Sequence, residues 1–201
     1  MKPLSWHREA LARLLEGRER LPHALLVHGP TGIGKVDFAR ALAAAMLCEG
    51  SRRDGACGTC PSCHWFSQGN HPDYREILPE AAADDEEGET EGEAQRTEKP
   101  KSLVIKIDQV RAVADFISLS THRAGHRVLV IHPGEAMQPA GANALLKTLE
   151  EPPPHTLIVL VSDRPARLLP TILSRCRRLA LRTPRGGSPA HGVPPGAWTA
   201  R

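Results

Sequence analysis

Aromatic residues make up only 3% of this 201-residue chain, so a binding surface of stacked aromatic rings, as in many single-strand binding proteins, is not expected. No apolar run approaches the ~18 residues of a transmembrane helix, and the N-terminus has no apolar signal core. We therefore predict a cytoplasmic protein. Cysteine is also scarce, with five residues, and in a reducing compartment such residues serve as metal ligands or free thiols rather than disulfides.

The apolar fraction of 40% is sufficient for a buried core, while the charges are unevenly distributed. The formal net charge is +3, yet residues 80–98 contain nine of the 23 acidic residues and a single base, Arg96. The remainder has 25 Lys and Arg against 14 Asp and Glu. A basic body favours an anionic partner such as nucleic acid, nucleotide or an acidic protein surface. An Arg-rich solvent-exposed surface is the alternative, because the chain has no dense Lys/Arg run.

Short apolar runs alternate with amphipathic segments, which predicts an α/β domain with a mainly parallel sheet. Strands are expected at residues 24–28, 103–107, 127–131, 157–161 and 179–181. Helices are expected at residues 4–19, 37–47 and 139–151, with a further helix capped by Asp108. The acidic residues 80–101 and the Pro/Gly-rich residues 184–201 lack apolar periodicity, and we expect both to be disordered. The domain would then span residues 1–183.

Residues 29–35 match the G-x-x-x-x-G-K pattern of a phosphate-binding loop, directly between an expected strand and an expected helix. In such a loop Gly29, Gly32 and Gly34 let backbone N–H groups surround an anion, and Lys35 reaches the outer phosphates. The next residue should carry a hydroxyl for Mg²⁺, but Val36 has no oxygen to offer. The pattern predicts a P-loop fold with a degenerate loop. A glycine-rich turn kept for packing is the alternative.

The second half of a P-loop ATPase site is an acidic pair at the end of a neighbouring strand. After the expected strand at residues 127–131, these positions hold His132 and Pro133, and Glu135 follows at a shifted position. A neutral imidazole and a proline cannot hold the metal or orient water. Together with Val36, this second loss argues against ATP hydrolysis and leaves residual nucleotide binding as an open question.

Four cysteines, Cys48, Cys57, Cys60 and Cys63, follow a C-x8-C-x2-C-x2-C spacing. The C-x2-C spacing lets two thiolates bind one ion from a tight turn, and four thiolates complete a closed tetrahedral zinc site. An iron–sulfur cluster is the rival, although its fourth cysteine would lie downstream. His64 could replace one ligand, but as the neighbour of Cys63 it is more often a bystander. The pattern predicts a structural zinc module at residues 48–64, and four unligated thiols are the alternative.

Several of these stretches occur together in one known family. The chain resembles the bacterial clamp-loader subunits of DNA polymerase III, which are members of the AAA+ superfamily. The resemblance is carried by residues 21–35, 57–63, 71–73, 107–111, 143–153 and 171–176. Within this family gamma/tau keeps both nucleotide motifs, whereas delta-prime has decayed motifs. Val36, His132 and Pro133 therefore indicate the delta-prime type.

The resemblance implies a role in loading the sliding clamp on primed DNA, together with gamma/tau and delta subunits. It also implies that Arg175, between Ser174 and Cys176, is an arginine finger that reaches the ATP of a neighbouring subunit. A guanidinium is always charged and binds phosphate oxygens in a fork, which fits this role; an ordinary surface arginine is the alternative. Cys176 is expected to pack locally. Ser162 stands where AAA+ proteins carry a γ-phosphate sensor, and we expect it to be structural.

The chain departs from the family after the Ser-Arg-Cys motif, where a helical lid and a collar domain would follow. Residues 184–201 are instead rich in Pro and Gly, so we expect a truncated, frameshifted or fragmentary product, and we assign the acidic insert no function. Two other functions stay open at this point. One is an active gamma/tau-like ATPase subunit, against which Val36 and His132 argue, and the other is a stand-alone zinc-containing nucleic-acid binder.

Overall fold

A five-stranded parallel sheet forms the centre of the fold. The computed structural model describes residues 3–50, 55–83, 102–118 and 125–182, and all structural statements below concern these residues. The strands are β1 (Ala24–His28), β2 (Tyr74–Ile77), β3 (Arg127–Ile131), β4 (Thr156–Ser162) and β5 (Arg177–Ala180). Their order is β2-β3-β4-β1-β5, and each neighbouring pair is parallel. The predicted α/β fold with a parallel sheet is therefore confirmed.

Helices in the described residues cover both faces of this sheet. They are α1 (Arg8–Glu16), α2 (Lys35–Leu47), α3 (Pro61–Ser67), α4 (Glu80–Ala83), α5 (Ile107–Ser118), α6 (Pro139–Glu150) and α7 (Pro170–Leu173). Helices α1, α2 and α3 bury side chains such as Leu11 and Phe38 against one face. Helices α5, α6 and α7 bury side chains such as Val110 and Leu145 against the other. The result is a three-layer α/β/α arrangement.

The central strands are buried on both faces, which explains their continuous apolar runs. In β1, Leu25 and Val27 face the cluster on the α2 side, whereas Ala24 and Leu26 face the cluster on the α5 side. All four residues are at most 1% exposed. The predicted strands at residues 24–28 and 127–131 are confirmed, and β4 extends the predicted strand at residues 157–161 by one residue at each end.

The predicted strand at residues 103–107 is wrong. Ile105 forms an isolated bridge to Met137, and Ile107 is already the first residue of α5. Leu103 is 79% exposed, so this apolar run does not add a strand to the sheet. A short apolar run predicts burial of some of its residues, as for Ile105, but it does not by itself supply a neighbouring strand with which to pair.

Each predicted helix differs from the structure at a boundary: α2 begins two residues earlier than expected, and α6 ends one residue earlier than expected. The expected helix at residues 4–19 is divided into a 3-10 turn (Ser5–His7), α1 and a second 3-10 turn (Arg18–Arg20). Asp108 lies within the first turn of α5 and is not its N-cap. Gln109 instead accepts a hydrogen bond from the Lys106 backbone N–H at 2.8 Å, which satisfies a donor at the helix start.

Strand β2 was not predicted from the sequence, because its four residues include Arg75 and Glu76 and it lies at the edge of the sheet.

The expected disorder at residues 80–101 is wrong at its start. Glu80 begins the short helix α4 and pairs with Lys106 at 2.7 Å. Residues 84–101 and the tail 184–201 lie outside the described residues. Among the described residues, none of the helices is both long and apolar enough to cross a bilayer.

Parallel pairing brings the carboxyl ends of β1, β3 and β4 to one edge of the sheet. The phosphate loop follows β1, His132 follows β3, and Asp163 follows β4. In register, His28 at the end of β1 pairs with Ser162 at the end of β4. In open α/β sheets this edge is where ligands bind, so the fold positions the candidate site here.

Candidate phosphate loop and cysteine cluster

The loop between β1 and α2 has a backbone that requires glycine. Gly32 and Gly34 both have φ of +80°, a left-handed conformation that residues with a Cβ adopt only with strain. At Gly29, an added Cβ would overlap the carbonyl oxygen of Leu181. The glycines therefore have the conformational role that the motif predicts, and Lys35 follows as the first residue of α2.

The Lys35 side chain is already engaged within the chain. Lys35 is 5% exposed; its Nζ donates to the Pro30 carbonyl at 2.6 Å and forms an ion pair with the Asp163 carboxylate. The hydroxyl of Thr31 donates to the other oxygen of Asp163 at 2.9 Å. The role of Asp163 was not predicted from the sequence. The available signal was an acidic residue two positions after the end of the expected strand at residues 157–161.

Val36 and His132 stand at the two positions where a P-loop ATPase carries ligands for Mg²⁺, and their side chains do not fit this ion. Val36 packs against the core cluster on the α2 side and has no oxygen. His132 directs its Nε2 to Glu76 Oε1 at 2.6 Å, so its ring is part of an internal contact. The usual ligands of Mg²⁺ are oxygen atoms, and neither position supplies one.

Glu76 is the centre of a polar network between β2, α2 and the end of β3. Besides His132, it accepts hydrogen bonds from Arg40 Nε at 2.9 Å and from the Tyr74 hydroxyl at 2.8 Å. Burial alone would raise the pKa of Glu76, but the His132 hydrogen bond and the charge of Arg40 lower it to about 2. Burial also raises the pKa of Tyr74, so it remains a neutral donor. Glu76, Arg40, Tyr74 and His132 thus form an internal network at this corner of the sheet.

The end of β4 is held by side-chain hydrogen bonds to its backbone. Ser162 is fully buried, and its hydroxyl accepts from the Arg164 N–H at 3.1 Å. Glu135 Oε1 accepts from the N–H groups of both Asp163 and Arg164 at 3.1 Å. Ser162 therefore has a structural contact, and Glu135 fixes the backbone that carries Asp163.

The four predicted cysteine ligands lie together at the C-terminal end of α2. The sulfurs of Cys48, Cys57, Cys60 and Cys63 are all within 4.8 Å of one another. Two of the sulfur pairs, Cys48–Cys60 and Cys57–Cys63, are 3.9 Å apart. A tetrahedral zinc site with Zn–S bonds of about 2.3 Å requires sulfurs roughly 3.8 Å apart. The cluster could therefore hold one metal ion, and His64 is exposed and outside it.

Backbone N–H groups point at these sulfurs. Cys57 N–H donates to Cys48 Sγ at 3.3 Å, and Cys63 N–H donates to Cys60 Sγ at 3.4 Å. Hydrogen bonds from Thr59 lower the pKa of Cys57 to about 5, whereas burial raises the pKa of Cys63 to about 12. Four thiolates this close repel one another, so all four can be deprotonated together only around a cation.

Arg175 lies two residues after the end of α7, and its side chain forms contacts with other residues of the chain. Its Nη2 contacts Glu150 Oε1 at 2.6 Å, and its Nη1 donates to the Thr171 carbonyl at 2.9 Å. The side chain is 33% exposed, so it is accessible from solvent. Its neighbour Cys176 is buried in the core cluster on the α5 side, away from the four clustered cysteines, as predicted.

A family model described as DNA polymerase III, delta subunit, matches residues 8–185. The chain belongs to this family. The match includes the phosphate loop, the cysteine cluster and Arg175, so the resemblance inferred from the motifs is confirmed. The assignment of the decayed nucleotide motifs to the delta' type also agrees with the relatives described next.

The chain is 42% identical to DNA polymerase III subunit delta' of Pseudomonas aeruginosa over 176 residues, which are 88% of this chain and 48% of that protein. It is 32% identical to subunit delta' of Escherichia coli over 88% of this chain and 48% of that protein. For subunit tau of Bacillus subtilis the identity is 30%, over 80% of this chain and 25% of that protein. The chain thus spans about half the length of these delta' relatives.

A solved structure of a DNA polymerase III gamma subunit-related protein from Thermotoga maritima has the same fold. It matches with a TM-score of 0.52 and 23% sequence identity, over 89% of this chain and 47% of that chain. At this identity the likeness supports the fold alone, a parallel sheet flanked by helices.

The Glu76 network predicts an acid-sensitive contribution to stability. Glu76 has a pKa of about 2 in the folded state, below its ordinary 4.5. Its stabilisation is therefore present above pH 4.5 and is lost as the pH falls from there to about 2. We expect Glu76→Gln to lower the free energy of unfolding by about 3 kcal/mol at pH 7, measured by urea denaturation.

The control for this variant is Glu9→Gln, because the Glu9 side chain is 78% exposed and exposed pairs contribute at most about 1 kcal/mol. The difference between wild type and Glu76→Gln should shrink between pH 4.5 and pH 3. A difference that stays constant over this range would contradict the assigned ionisation of Glu76.

Proposed function

We propose that the chain acts in the cytoplasm as a non-hydrolysing, delta'-type subunit of the DNA polymerase III clamp loader, which helps to load the sliding clamp on primed DNA. Its partners would be the gamma/tau and delta subunits. Membership of the family supports the proposal, as does the 42% identity to subunit delta' of Pseudomonas aeruginosa, against 30–33% to the tau relatives. Because the chain spans about half of the delta' relatives, the proposal concerns the part that this chain supplies.

The observation that carries the non-hydrolysing assignment is the pair Val36 and His132. The partly buried Val36 side chain packs against the core cluster on the α2 side, and His132 is bonded to Glu76. An active gamma/tau-like subunit would need oxygen ligands for Mg²⁺ at both positions. The alternative of an ATPase subunit is therefore not favoured by the residues present.

Nucleotide turnover by the purified chain tests this proposal. We expect no ATP hydrolysis above background, and no increase in affinity for a fluorescent ATP analogue when Mg²⁺ is added. The measurements are phosphate release and equilibrium fluorescence titration with and without Mg²⁺. Tight Mg²⁺-dependent binding with turnover by the isolated chain would overturn the assignment in favour of the ATPase alternative.

The cysteine cluster would hold a structural zinc ion through Cys48, Cys57, Cys60 and Cys63. The sulfur spacing fits four zinc–thiolate bonds, and with four protein ligands no position is left open for catalysis. A bound ion would join the end of α2 to the start of α3, because Cys48 follows α2 and Cys60 is the N-cap of α3. Its contribution would be to stability, through binding coupled to folding.

Replacement of one ligand tests the zinc assignment. We expect wild type to contain about one zinc per chain by elemental analysis, and Cys60→Ser to bind zinc at least ~10-fold more weakly and to unfold at a lower temperature. Cys176→Ala is the matched control, since Cys176 lies in the other core cluster and should leave the zinc content unchanged.

Metal content also distinguishes a zinc site from the alternative, an iron–sulfur cluster. An iron–sulfur site would give iron, sulfide and visible absorption in place of zinc. Full zinc content in Cys60→Ser, or the absence of any metal from wild type purified without chelators, would contradict the assignment.

Arg175 would act as the arginine finger for the ATP of a neighbouring subunit. Its guanidinium is accessible to solvent. It contacts Glu150, Thr171 and Ser174, and none of these residues belongs to the phosphate loop of this chain. An arginine supplied in trans can raise turnover by ~10³ to ~10⁵ in well-studied GTPases. Here it would act by charge on a partner's phosphates and not on a nucleotide of this chain.

We expect Arg175→Ala, in a full-length context, to lower the DNA-stimulated ATP turnover of the reconstituted loader by at least ~10-fold, with assembly intact by gel filtration. Arg177→Ala is the control, because Arg177 is an exposed residue of the edge strand β5. Unchanged turnover in Arg175→Ala, or an equal loss in Arg177→Ala, would remove the finger assignment.

A further inference from the structure

Two side chains of the phosphate loop are bound to a carboxylate of the same chain, that of Asp163. Both oxygens of Asp163 are used: one forms the ion pair with Lys35, and the other accepts from the Thr31 hydroxyl at 2.9 Å. Lys35 and Thr31 are loop residues, and Lys35 is the residue that the motif directs at phosphate. Asp163 thus occupies two side-chain donors of the loop, the Lys35 ammonium group and the Thr31 hydroxyl, that an external anion would use.

Asp163 is held at this place by the fold. Ser162, the residue before it, pairs in register with His28, which immediately precedes the loop. Glu135 accepts from the Asp163 backbone N–H at 3.1 Å, and Ser162 is fully buried. The carboxylate is therefore presented to the loop by a fixed strand end.

The N-terminal segment covers the loop from another side. The Trp6 indole N–H donates to the Ile33 carbonyl at 3.2 Å. The Leu4 side chain lies against Gly34 so closely that a Cβ on this glycine would overlap it. Lys35 is 5% exposed, and a buried ammonium group requires a counter-charge in its immediate surroundings.

We propose that Asp163 is an internal occupant of the phosphate loop, which competes with triphosphate groups for Lys35 and Thr31 and so keeps the loop from binding them. A triphosphate entering the loop would have to displace the carboxylate from Lys35 and would then lie beside an unpaired negative charge. Removal of that charge opens the loop to inorganic tripolyphosphate or to the triphosphate of a nucleotide. Such binding is independent of Mg²⁺, because Val36 and His132 supply no oxygen ligand.

This inference goes beyond the proposed function, since it concerns anion binding and not hydrolysis. A loop opened by substitution at Asp163 would bind a triphosphate and still lack the residues that hold the metal. The two proposals therefore fail in different ways. Binding without turnover agrees with both, and turnover in the opened variant would contradict the non-hydrolysing assignment alone.

The test is Asp163→Asn in the full 201-residue chain, because asparagine keeps the size of the side chain and removes its charge. Binding of inorganic tripolyphosphate is measured by isothermal titration calorimetry in the absence of Mg²⁺. We expect at least ~10-fold tighter binding than in wild type. A parallel titration with fluorescent ATP shows whether the nucleoside adds affinity.

Two controls locate the effect. Glu9→Gln removes one negative charge from an exposed position and should leave the affinity as in wild type. Lys35→Met, added to Asp163→Asn, should abolish the gain, because it removes the ammonium group that the phosphate would contact.

The proposal is overturned if wild type binds tripolyphosphate through Lys35 within ~3-fold of the affinity of Asp163→Asn, or if Asp163→Asn shows no gain. Thermal unfolding is recorded first for each variant. Should Asp163→Asn fail to fold, Asp163→Ser removes the same charge, and the wild-type titration by itself still decides whether the loop accepts a triphosphate.

Discussion

The parallel register of β1 and β4 is the constraint on which the nucleotide-like site depends. It places His28 beside Ser162, so the phosphate loop and Asp163 leave the sheet side by side. Lys35, whose charge is buried at the start of α2, then finds a carboxylate of its own chain. A buried cation without a partner would cost several kcal/mol. In this protein the partner is internal, and the loop is preserved as a structural element.

At the end of β3, a side chain at the same edge of the sheet is also bound to a carboxylate of this chain. His132 follows β3 at the position of a metal-binding acid, and it contacts Glu76, which also binds Arg40 and Tyr74. These four side chains connect the edge strand β2 to α2 and to the central strand β3. The P-loop architecture therefore persists although oxygen ligands for a metal are missing, because the same positions now contribute hydrogen bonds and packing.

Two further features lie outside this edge. The cysteine cluster extends from the end of α2, where the sulfurs of four cysteines converge, and it can stabilise the fold by ligand bonds rather than by a larger core. Arg175 follows α7 and pairs with Glu150 from α6. Its side chain is one-third exposed, so part of the guanidinium remains accessible to solvent.

The sequence alone was enough to predict the fold class, the strands β1, β3 and β4, the phosphate loop, its missing ligands and the four clustered cysteines. These features depend on local patterns: apolar runs, glycine spacing and cysteine spacing. It was not enough to predict β2, which is short and polar, or to exclude a strand at residues 103–107, because strand pairing depends on contacts between segments that are far apart in the chain. The contact between Lys35 and Asp163 was equally hidden, since the two residues are far apart in the chain and only the register of the sheet brings them together.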